Sequence, residues 1–276
     1  MKKIISILLV LLFTVSLFTA CSQSSAEKTN VLDTEENGIV KMSELKQNKT
    51  NKKAGFQLEK PEVGEEIAVV ETTAGTFKIR FFPEEAPKAV YNFKKLALEG
   101  YYDGLTFHRI IDNFMIQGGD PTGTGLGGDS VWNEDFEDEF NDNLVNISGS
   151  LSMANKGADT NSSQFFINYC KTTPDWEYLE MFYEAYKEDP QLINEYYGGC
   201  VDLGKLSDEV KAMYNEYGGN LHLDGAFNTA GGGHTVFGQV FEGLEIVEKI
   251  SKVETDENNK PLGKVVIKSI TIEKYE

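Results

Sequence analysis

The chain has 276 residues, enough for one large domain or two small ones, with 40% hydrophobic and 25% charged residues. Its formal net charge of −18 argues against a nucleic-acid-binding protein and against electrostatic docking on anionic lipid, because both need a basic surface. Three His and three Cys, without a C-x-x-C pair, make a metal site unexpected.

The first 21 residues have the pattern of an export signal. Two lysines precede an almost unbroken apolar run over residues 4–18, which is short for a membrane span. Cys21 then follows small residues, as in the cleavage box of a bacterial lipoprotein. We therefore predict a signal peptide over residues 1–20, a lipid on Cys21, and an extracytoplasmic protein anchored to the bacterial cell membrane by that lipid alone. A plain signal peptide cut near Ala20 or Ala26, or an uncleaved anchor, is the alternative.

Residues 21–62 are predicted to form a flexible tether. They are rich in Ser, Thr, Asn, Lys and Glu and poor in large apolar side chains. Such a composition buries too little surface to offset the conformational entropy of ordering the chain. The folded domain is accordingly expected over residues 63–276.

The domain is predicted to begin with a β-hairpin formed by residues 67–72 and 76–82. A helix is expected over residues 87–98, since Pro87 occupies its first turn and Gly100 follows its end. Further strands are predicted at 105–110, 114–117, 149–153, 164–168, 235–240 and 265–272, with a second helix at 244–250. Many short strands between glycine-rich loops favour a mainly β barrel or sandwich.

One block interrupts the strand pattern. Residues 175–221 hold eleven acidic residues and three lysines, a net charge of −8, and their apolar side chains follow helical spacing. This pattern predicts an acidic helical insertion that folds onto the β domain.

Four segments carry the residues with recognisable chemistry. They are residues 107–120 with Arg109, Phe114, Met115 and Gln117; 151–155 with Ala154 and Asn155; 161–167 with Gln164 and Phe166; and 223–240 with Leu223 and His234. In this order they resemble the active-site segments of the cyclophilin family of peptidyl-prolyl cis-trans isomerases. The resemblance covers roughly residues 65–275, apart from the insertion. It implies a closed eight-stranded antiparallel barrel capped by two helices, acting on unfolded or extended proline-containing polypeptides without a cofactor.

The chemistry of prolyl isomerisation suits these residues. Rotation about a peptide bond meets a barrier of ~18–20 kcal/mol because the nitrogen lone pair is delocalised into the carbonyl. In the twisted transition state the nitrogen becomes a hydrogen-bond acceptor, so a fixed donor stabilises that state selectively. The resemblance gives this role to Arg109, whose rigid guanidinium stays charged, and has Gln117 steady it. A surface arginine in a salt bridge is the structural alternative.

The resemblance also implies a substrate groove. Phe114, Met115, Phe166 and Leu223 match the proline pocket of the family, and Ala154, Asn155, Gln164 and His234 match its remaining substrate-binding positions. His222 precedes Leu223 where the human-type proteins have Trp, which puts the substrate preference in doubt.

The interpretation is an isomerase that assists the folding of exported proteins. A non-catalytic proline-peptide-binding module or a chaperone at the cell surface is the alternative, although such a protein would not need Arg109. The glycine-rich residues 123–128 match G-x-G-x-x-G, but no helix pattern follows, so we expect a loop beside the groove. Whether Cys170 and Cys200 pair is left open.

Overall fold

The computed structural model describes residues 38–48 and 52–276. The strands are β1 Glu66–Thr72, β2 Thr76–Phe81, β3 Arg109–Ile111, β4 Met115–Gly118, β5 Ser150–Met153, β6 Phe165–Asn168, β7 Val236–Glu242 and β8 Ile267–Lys274. The α-helices are α1 Pro87–Leu98, α2 Trp176–Glu188, α3 Pro190–Tyr197, α4 Asp208–Tyr217 and α5 Leu244–Ser251. The predicted signal peptide and Cys21 lie outside the described residues. Within those residues, no helix combines the length and apolarity that crossing a bilayer requires.

The strands form one antiparallel sheet in the order β3-β4-β6-β5-β7-β2-β1-β8. Register shifts in three of its ladders bend the strands, and the sheet curls. Its two end strands approach each other through an isolated bridge between Thr106 and Val266 and a 3.0 Å hydrogen bond from the Phe107 amide to the Val265 carbonyl. The expected closed barrel is therefore seen only as a curled sheet, because the strand predicted at 105–110 is regular only from Arg109 onward.

Side-chain alternation gives the sheet two different faces. Ile116 on β4 and Ile167 on β6 are fully buried in the main hydrophobic core. Gln117 and Phe166, one residue away on each strand, lie outside that core. Because successive side chains of a strand point to opposite sides, the sheet presents a second, outer face at this position.

Two helices pack on the core side of the sheet. The helix α1 has the predicted bounds, and its Phe93 ring contacts Phe165 and Phe237 at centroid distances of 5.2 and 5.5 Å. The helix α5 contributes Val247 and Ile250, which are fully buried in the same core.

The prediction of a flexible tether reaching residue 62 is wrong for its described part. The ring of Phe56 packs edge-on against Phe82 at 5.3 Å, and Gln57 is only 1% exposed. The Gln57 amide donates to the Val145 carbonyl and to Gln239 Oε1, and it accepts from the Val145 amide. Although the composition of this segment is polar, the buried Phe56 ring and the hydrogen bonds of Gln57 attach it to the domain. The domain therefore begins before residue 63.

The insertion between β6 and β7 consists of α2, α3 and α4. Each of these helices has an N-cap side chain that accepts a hydrogen bond from a first-turn amide. The caps are Asp175, Asp189 and Ser207. The helix α4 shares a second hydrophobic core with the segment around Val145. The helix α2 packs the partly buried Trp176 and Leu179 against this core but has no fully buried residue. The thiols of Cys170 and Cys200 are free.

Candidate active site

Arg109 and Gln117 face each other across two neighbouring strands. The β3–β4 register pairs them directly, and the Arg109 guanidinium donates to Gln117 Oε1 at 3.4 Å and lies 3.9 Å from the Met115 sulfur. Both contacts are to uncharged groups. Among residues 38–48 and 52–276, no carboxylate forms an ion pair with Arg109. The arrangement therefore differs from the salt-bridged surface arginine considered as the alternative, and it leaves donors of the guanidinium available.

Gln164 connects Gln117 to the glycine-rich loop. The Gln117 amide donates to Gln164 Oε1 at 2.9 Å, and the Gln164 amide donates to the carbonyls of Gly125 and Gly127 at 3.1 and 2.8 Å. Both carbonyls belong to the loop 123–128, which is thereby held beside the site. A chain of amide hydrogen bonds thus fixes the orientation of the Gln117 side chain.

The glycine-rich loop is itself organised by a carboxylate. Asp120 accepts hydrogen bonds from the amides of Thr122, Thr124 and Gly125. Burial of Asp120 opposes ionisation, but the hydrogen bonds from the loop backbone outweigh it and hold the pKa of that carboxyl well below its usual range. The loop amides already have an internal anion as partner, which explains why the G-x-G-x-x-G pattern serves here as a loop.

Phe114 is positioned by the two ends of the insertion. Its carbonyl accepts from the Asn220 side-chain amide at 3.0 Å, and its ring stacks on the His222 imidazole with centroids 5.9 Å apart. The preceding residue, Asn113, has a φ of 54° and donates to Thr172 Oγ1 at 2.6 Å. The positive φ creates the tight turn between β3 and β4 that presents Phe114 at the surface.

Phe166 and His234 form the opposite side of the apolar surface. Phe166 lies across from Gln117 in the β4–β6 register, and its ring meets the His234 ring edge-on at 5.2 Å. His234 Nδ1 lies 2.9 Å from the Met153 carbonyl, so Nδ1 carries the proton. Burial lowers the pKa of His234 against the opposing effect of that hydrogen bond, which favours the neutral ring.

The remaining predicted residues lie around this surface. The His234 amide donates to the Leu223 carbonyl at 2.9 Å, the Ala154 amide donates to the Gln164 carbonyl at 3.0 Å, and the Asn155 side chain donates to the Gly233 carbonyl at 2.8 Å. Direct contacts or strand pairing therefore link the predicted site residues within the described chain, apart from Phe114 and Asn155. These two join the others through chain neighbours, and Phe114 also contacts His222, which precedes Leu223. Cys21, the predicted lipidation site, lies outside the described residues.

Two residues at the site were not among the predicted ones. His222 stacks on Phe114, and Asn220 holds the Phe114 carbonyl. The position of His222 immediately before Leu223 was a usable signal. No local pattern in the sequence indicates that Asn220, at the end of the insertion, reaches back to β4.

A buried polar network is centred on Asp224, the residue that follows Leu223. Asp224 accepts from the backbone and side-chain amides of Asn146 at 2.8 and 2.7 Å and from the Tyr214 hydroxyl on α4. Complete burial raises the pKa of Asp224 to about 7, although these hydrogen bonds lower it. The network attaches the insertion to the segment that carries Leu223 and His222.

The arrangement combines a fixed cationic donor with an apolar surface. Phe114, Met115 and Phe166 provide aromatic and thioether groups, and Met115 and Phe166 are almost fully buried. In the described part of the chain, no group of three or more His, Cys, Asp or Glu side chains is placed to hold a metal ion. The site can bind an apolar ring and direct hydrogen bonds at it.

Comparisons with known proteins find relatives of one family. The family described as "Cyclophilin type peptidyl-prolyl cis-trans isomerase/CLD" matches residues 67–272. A Staphylococcus aureus (strain USA300) protein named for peptidyl-prolyl cis-trans isomerase activity is 42% identical over 215 residues, covering 76% of this chain and 93% of that protein. A Streptococcus pyogenes serotype M6 protein named as a bifunctional phosphatase/peptidyl-prolyl cis-trans isomerase is 43% identical over 205 residues, and the chain spans 38% of its length.

Solved structures of similar fold belong to a protein with the same named activity. A cyclophilin-type peptidyl-prolyl cis-trans isomerase of Cryptosporidium parvum is similar with a TM-score of 0.55 and 29% identity, covering 76% of this chain and 99% of that chain. A second structure of that protein, obtained in the presence of the dipeptide Ala-Pro, has a TM-score of 0.54.

Proposed function

The chain belongs to the cyclophilin family of peptidyl-prolyl cis-trans isomerases, and we propose that it accelerates X–Pro rotation in exported polypeptides while a lipid on Cys21 holds it at the outer side of the bacterial cell membrane. The isomerase activity follows from the family. The residue roles, the exported substrates and the anchor are the proposal.

The contact between Arg109 and Gln117 is the observation that carries the proposed mechanism. The guanidinium has only uncharged partners among the described residues, and the hydrogen bond from Gln117 to Gln164 restrains the Gln117 side chain that it contacts. A prolyl ring seated against Phe114, Met115, Phe166 and Leu223 would place its nitrogen beside this donor. As the peptide bond twists and the nitrogen lone pair localises, Arg109 would donate to it and lower the barrier.

Binding of a proline-containing peptide is supported by a relative. The Cryptosporidium parvum cyclophilin was crystallised in the presence of Ala-Pro. The rim of this chain fits an extended peptide, because Asn155 and Ala154 follow the end of β5 and are only partly buried. Their remaining polar groups would meet the main chain of the substrate.

The proposed location is supported by the beginning of the sequence. Two lysines, an apolar run over residues 4–18 and a Cys after small residues form the pattern of a lipoprotein signal. Polypeptides emerging outside the cytoplasm reach such an enzyme while still unfolded, when X–Pro isomerisation takes tens to hundreds of seconds without catalysis.

The proposal is tested by measuring isomerisation of an Ala-Pro tetrapeptide with the purified protein. We expect a rate that increases linearly with protein concentration. A protein that binds the peptide in titration calorimetry but leaves the rate unchanged would instead be the non-catalytic binding module.

A further inference from the structure

The helix α2 exposes an aromatic patch, which we define as Tyr178, Met181, Phe182 and Tyr197. The ring of Phe182 stacks on Tyr178 at 5.7 Å and meets Tyr197 of α3 edge-on at 5.2 Å. Met181 follows Tyr178 by one helical turn, which places it on the same side of α2. Tyr178, Met181 and Tyr197 are 53%, 60% and 62% exposed, so the patch is open to solvent.

Exposed apolar residues are concentrated on the insertion. Of the eleven large hydrophobic residues that are exposed in the described chain, six lie between residues 178 and 217. The helix α2 packs Trp176 and Leu179 against the second hydrophobic core, where both are partly buried. Tyr178 and Met181 stay exposed, although a helix in a globular protein ordinarily gains stability by burying its apolar residues. A contiguous exposed apolar surface of this kind indicates an interaction site.

The surroundings of the aromatic patch are acidic. Glu177 and Glu180 are exposed on α2 and, among the described residues, form no ion pair with a lysine or arginine. The insertion as a whole carries a net charge of −8. A partner of the patch should therefore combine apolar side chains with lysine or arginine.

The charge also discriminates between possible partners. A second copy of this chain would bring another insertion of −8 and a total charge of −18 against the first, and an anionic lipid surface would be repelled in the same way. An extended basic and apolar polypeptide is attracted by the acidic groups and can bury the aromatic rings.

The insertion is attached at both ends to the wall of the candidate active site. Before α2, the Lys171 amide donates to Asn113 Oδ1 at 2.8 Å, next to Phe114. After α4, Asn220 donates to the Phe114 carbonyl at 3.0 Å. A polypeptide held on the insertion therefore stays near the groove.

We propose that the aromatic patch and its acidic rim bind a second segment of the unfolded polypeptide substrate, one rich in apolar and basic residues, while the proline of the same polypeptide occupies the groove. This inference rests on the proposed function of the groove. Two linked contacts raise the affinity for a long substrate through effective concentration, without changing the chemical step.

The test compares substrates with and without a second segment, using the full chain and a protease-free isomerisation assay. The first substrate is an Ala-Pro tetrapeptide. The second joins it through a Gly/Ser linker to an arm of Lys and Phe. Two further arms replace Lys by Glu, or Phe by Ser. We expect the Lys/Phe arm to raise kcat/KM at least about tenfold through KM, and the other two arms to have a smaller effect.

The patch variant carries Tyr178→Gln and Met181→Gln on α2 and Tyr197→Gln at the end of α3, since Gln has good helix propensity. The matched control carries Leu98→Gln and Leu262→Gln, which are similarly exposed but lie outside the insertion.

A third variant, Glu177→Gln with Glu180→Gln, changes charge alone. The patch variant should lose the gain from the arm, the charge variant should lose its dependence on Lys, and the control should keep both. Tetrapeptide activity should be unchanged in all three.

Two outcomes separate this inference from the function of the groove. If the parent turns over the tetrapeptide but the Lys/Phe arm leaves KM unchanged, or the patch variant keeps the full gain, the second binding site is overturned while the isomerase stands. If the tetrapeptide itself is not turned over, the proposed role of the groove fails.

Discussion

At the scale of single residues, Arg109 is distinguished by what surrounds it. Its guanidinium lies beside Gln117 and the Met115 sulfur, and Gln164 restrains Gln117 in turn. Such preorganisation matters because a donor that is already oriented needs no rearrangement when the prolyl nitrogen becomes an acceptor. Arg109 is thus a better candidate for the chemical step than any titratable group nearby, since the reaction removes no proton.

Replacement of Arg109 by Ala should lower kcat/KM for an Ala-Pro tetrapeptide by roughly 10²–10³-fold, the usual effect of removing one transition-state donor. Arg109→Lys should recover only part of this loss, because an ammonium lacks the planar fork. Lys264→Ala, an exposed cation elsewhere, is the control. Circular dichroism should show an unchanged fold, and an Ala variant within about threefold of the parent would contradict the assigned role.

Asp224 gives a prediction about pH. Burial raises its pKa to about 7 in the folded protein, whereas an aspartate in the unfolded chain titrates near 3.8. Between about pH 4 and about pH 7 the folded state therefore holds a proton that the unfolded state has lost. Stability falls with rising pH wherever the folded state binds more protons, so the contribution of Asp224 declines through this window.

The variant Asp224→Asn removes this titration while keeping the shape of the side chain. The unfolding free energy of the parent, relative to the variant, should fall by up to about 1.4 kcal/mol per pH unit between about pH 4 and about pH 7. Urea unfolding at several pH values measures the difference. Parallel pH profiles for the two proteins would show that Asp224 is ionised throughout and that Tyr214 and Asn146 compensate for its burial.

At the scale of elements, the sequence is informative where one local signal decides the outcome. The helix α1 has its predicted bounds because Pro87 fixes its start and Gly100 follows its end. The strand predicted at 105–110 is regular only from Arg109, since its first residues contact the region around Val266 through one isolated bridge, from Thr106 to Val266. Pairing partners distant in the chain decide such boundaries, and no local pattern reports them.

In the segment before residue 63, too, contacts with distant residues decide the structure, here by ordering a segment whose composition is polar. Its composition predicts disorder, but Phe56 and Gln57 are buried against residues that follow far along the chain. Hydropathy averaged over a window does not reveal that two residues among polar neighbours, Phe56 and Gln57, are buried. The sequence likewise predicts the insertion as one block, but its helices pack differently. The helix α4 shares a core with Val145, whereas α2 contributes only the partly buried Trp176 and Leu179 to it.

Gln57→Ala should therefore destabilise the protein although it lies in a segment of polar composition. The substitution leaves the Val145 amide and the Gln239 amide oxygen without a partner at a buried position. Unsatisfied buried groups cost about 1–3 kcal/mol each. Thermal and urea unfolding of the full chain should show this loss, with Gln47→Ala, at a partly buried position, as the milder comparison. Equal stability of Gln57→Ala and the parent would show that the segment packs only loosely.

At the scale of the whole molecule, the two faces of the curled sheet serve stability and the candidate active site separately. Its inner face carries the hydrophobic core with α1 and α5, and its outer face carries Arg109, Gln117 and Phe166. The four motif segments indicate these residues through their resemblance to the cyclophilin family, and the roles of the residues stay a prediction. The contribution of the insertion through Asn220 and Tyr214 escaped prediction, because it depends on where the chain returns after nearly fifty residues.

The net charge of −18 makes the mode of membrane attachment testable. A protein of this charge is repelled by anionic lipid, so any stable association must be hydrophobic. The diacylglyceryl group of a lipoprotein provides two acyl chains on one Cys, and two chains give the lasting attachment that a single chain does not. If Cys21 carries this group, binding to membranes should resist high salt and yield only to detergent.

Cys21→Ser should therefore move the protein from the membrane fraction to the soluble extracytoplasmic fraction without changing its isomerase activity. Cys200→Ser, a thiol within the insertion, is the matched control and should remain with the membrane. Mass spectrometry of the parent should find an acylated N-terminal Cys21. A Cys21→Ser protein that stays in the membrane would identify the apolar run as an uncleaved anchor. A parent that is already soluble, with an unmodified N-terminus near Ala26, would identify a plain signal peptide.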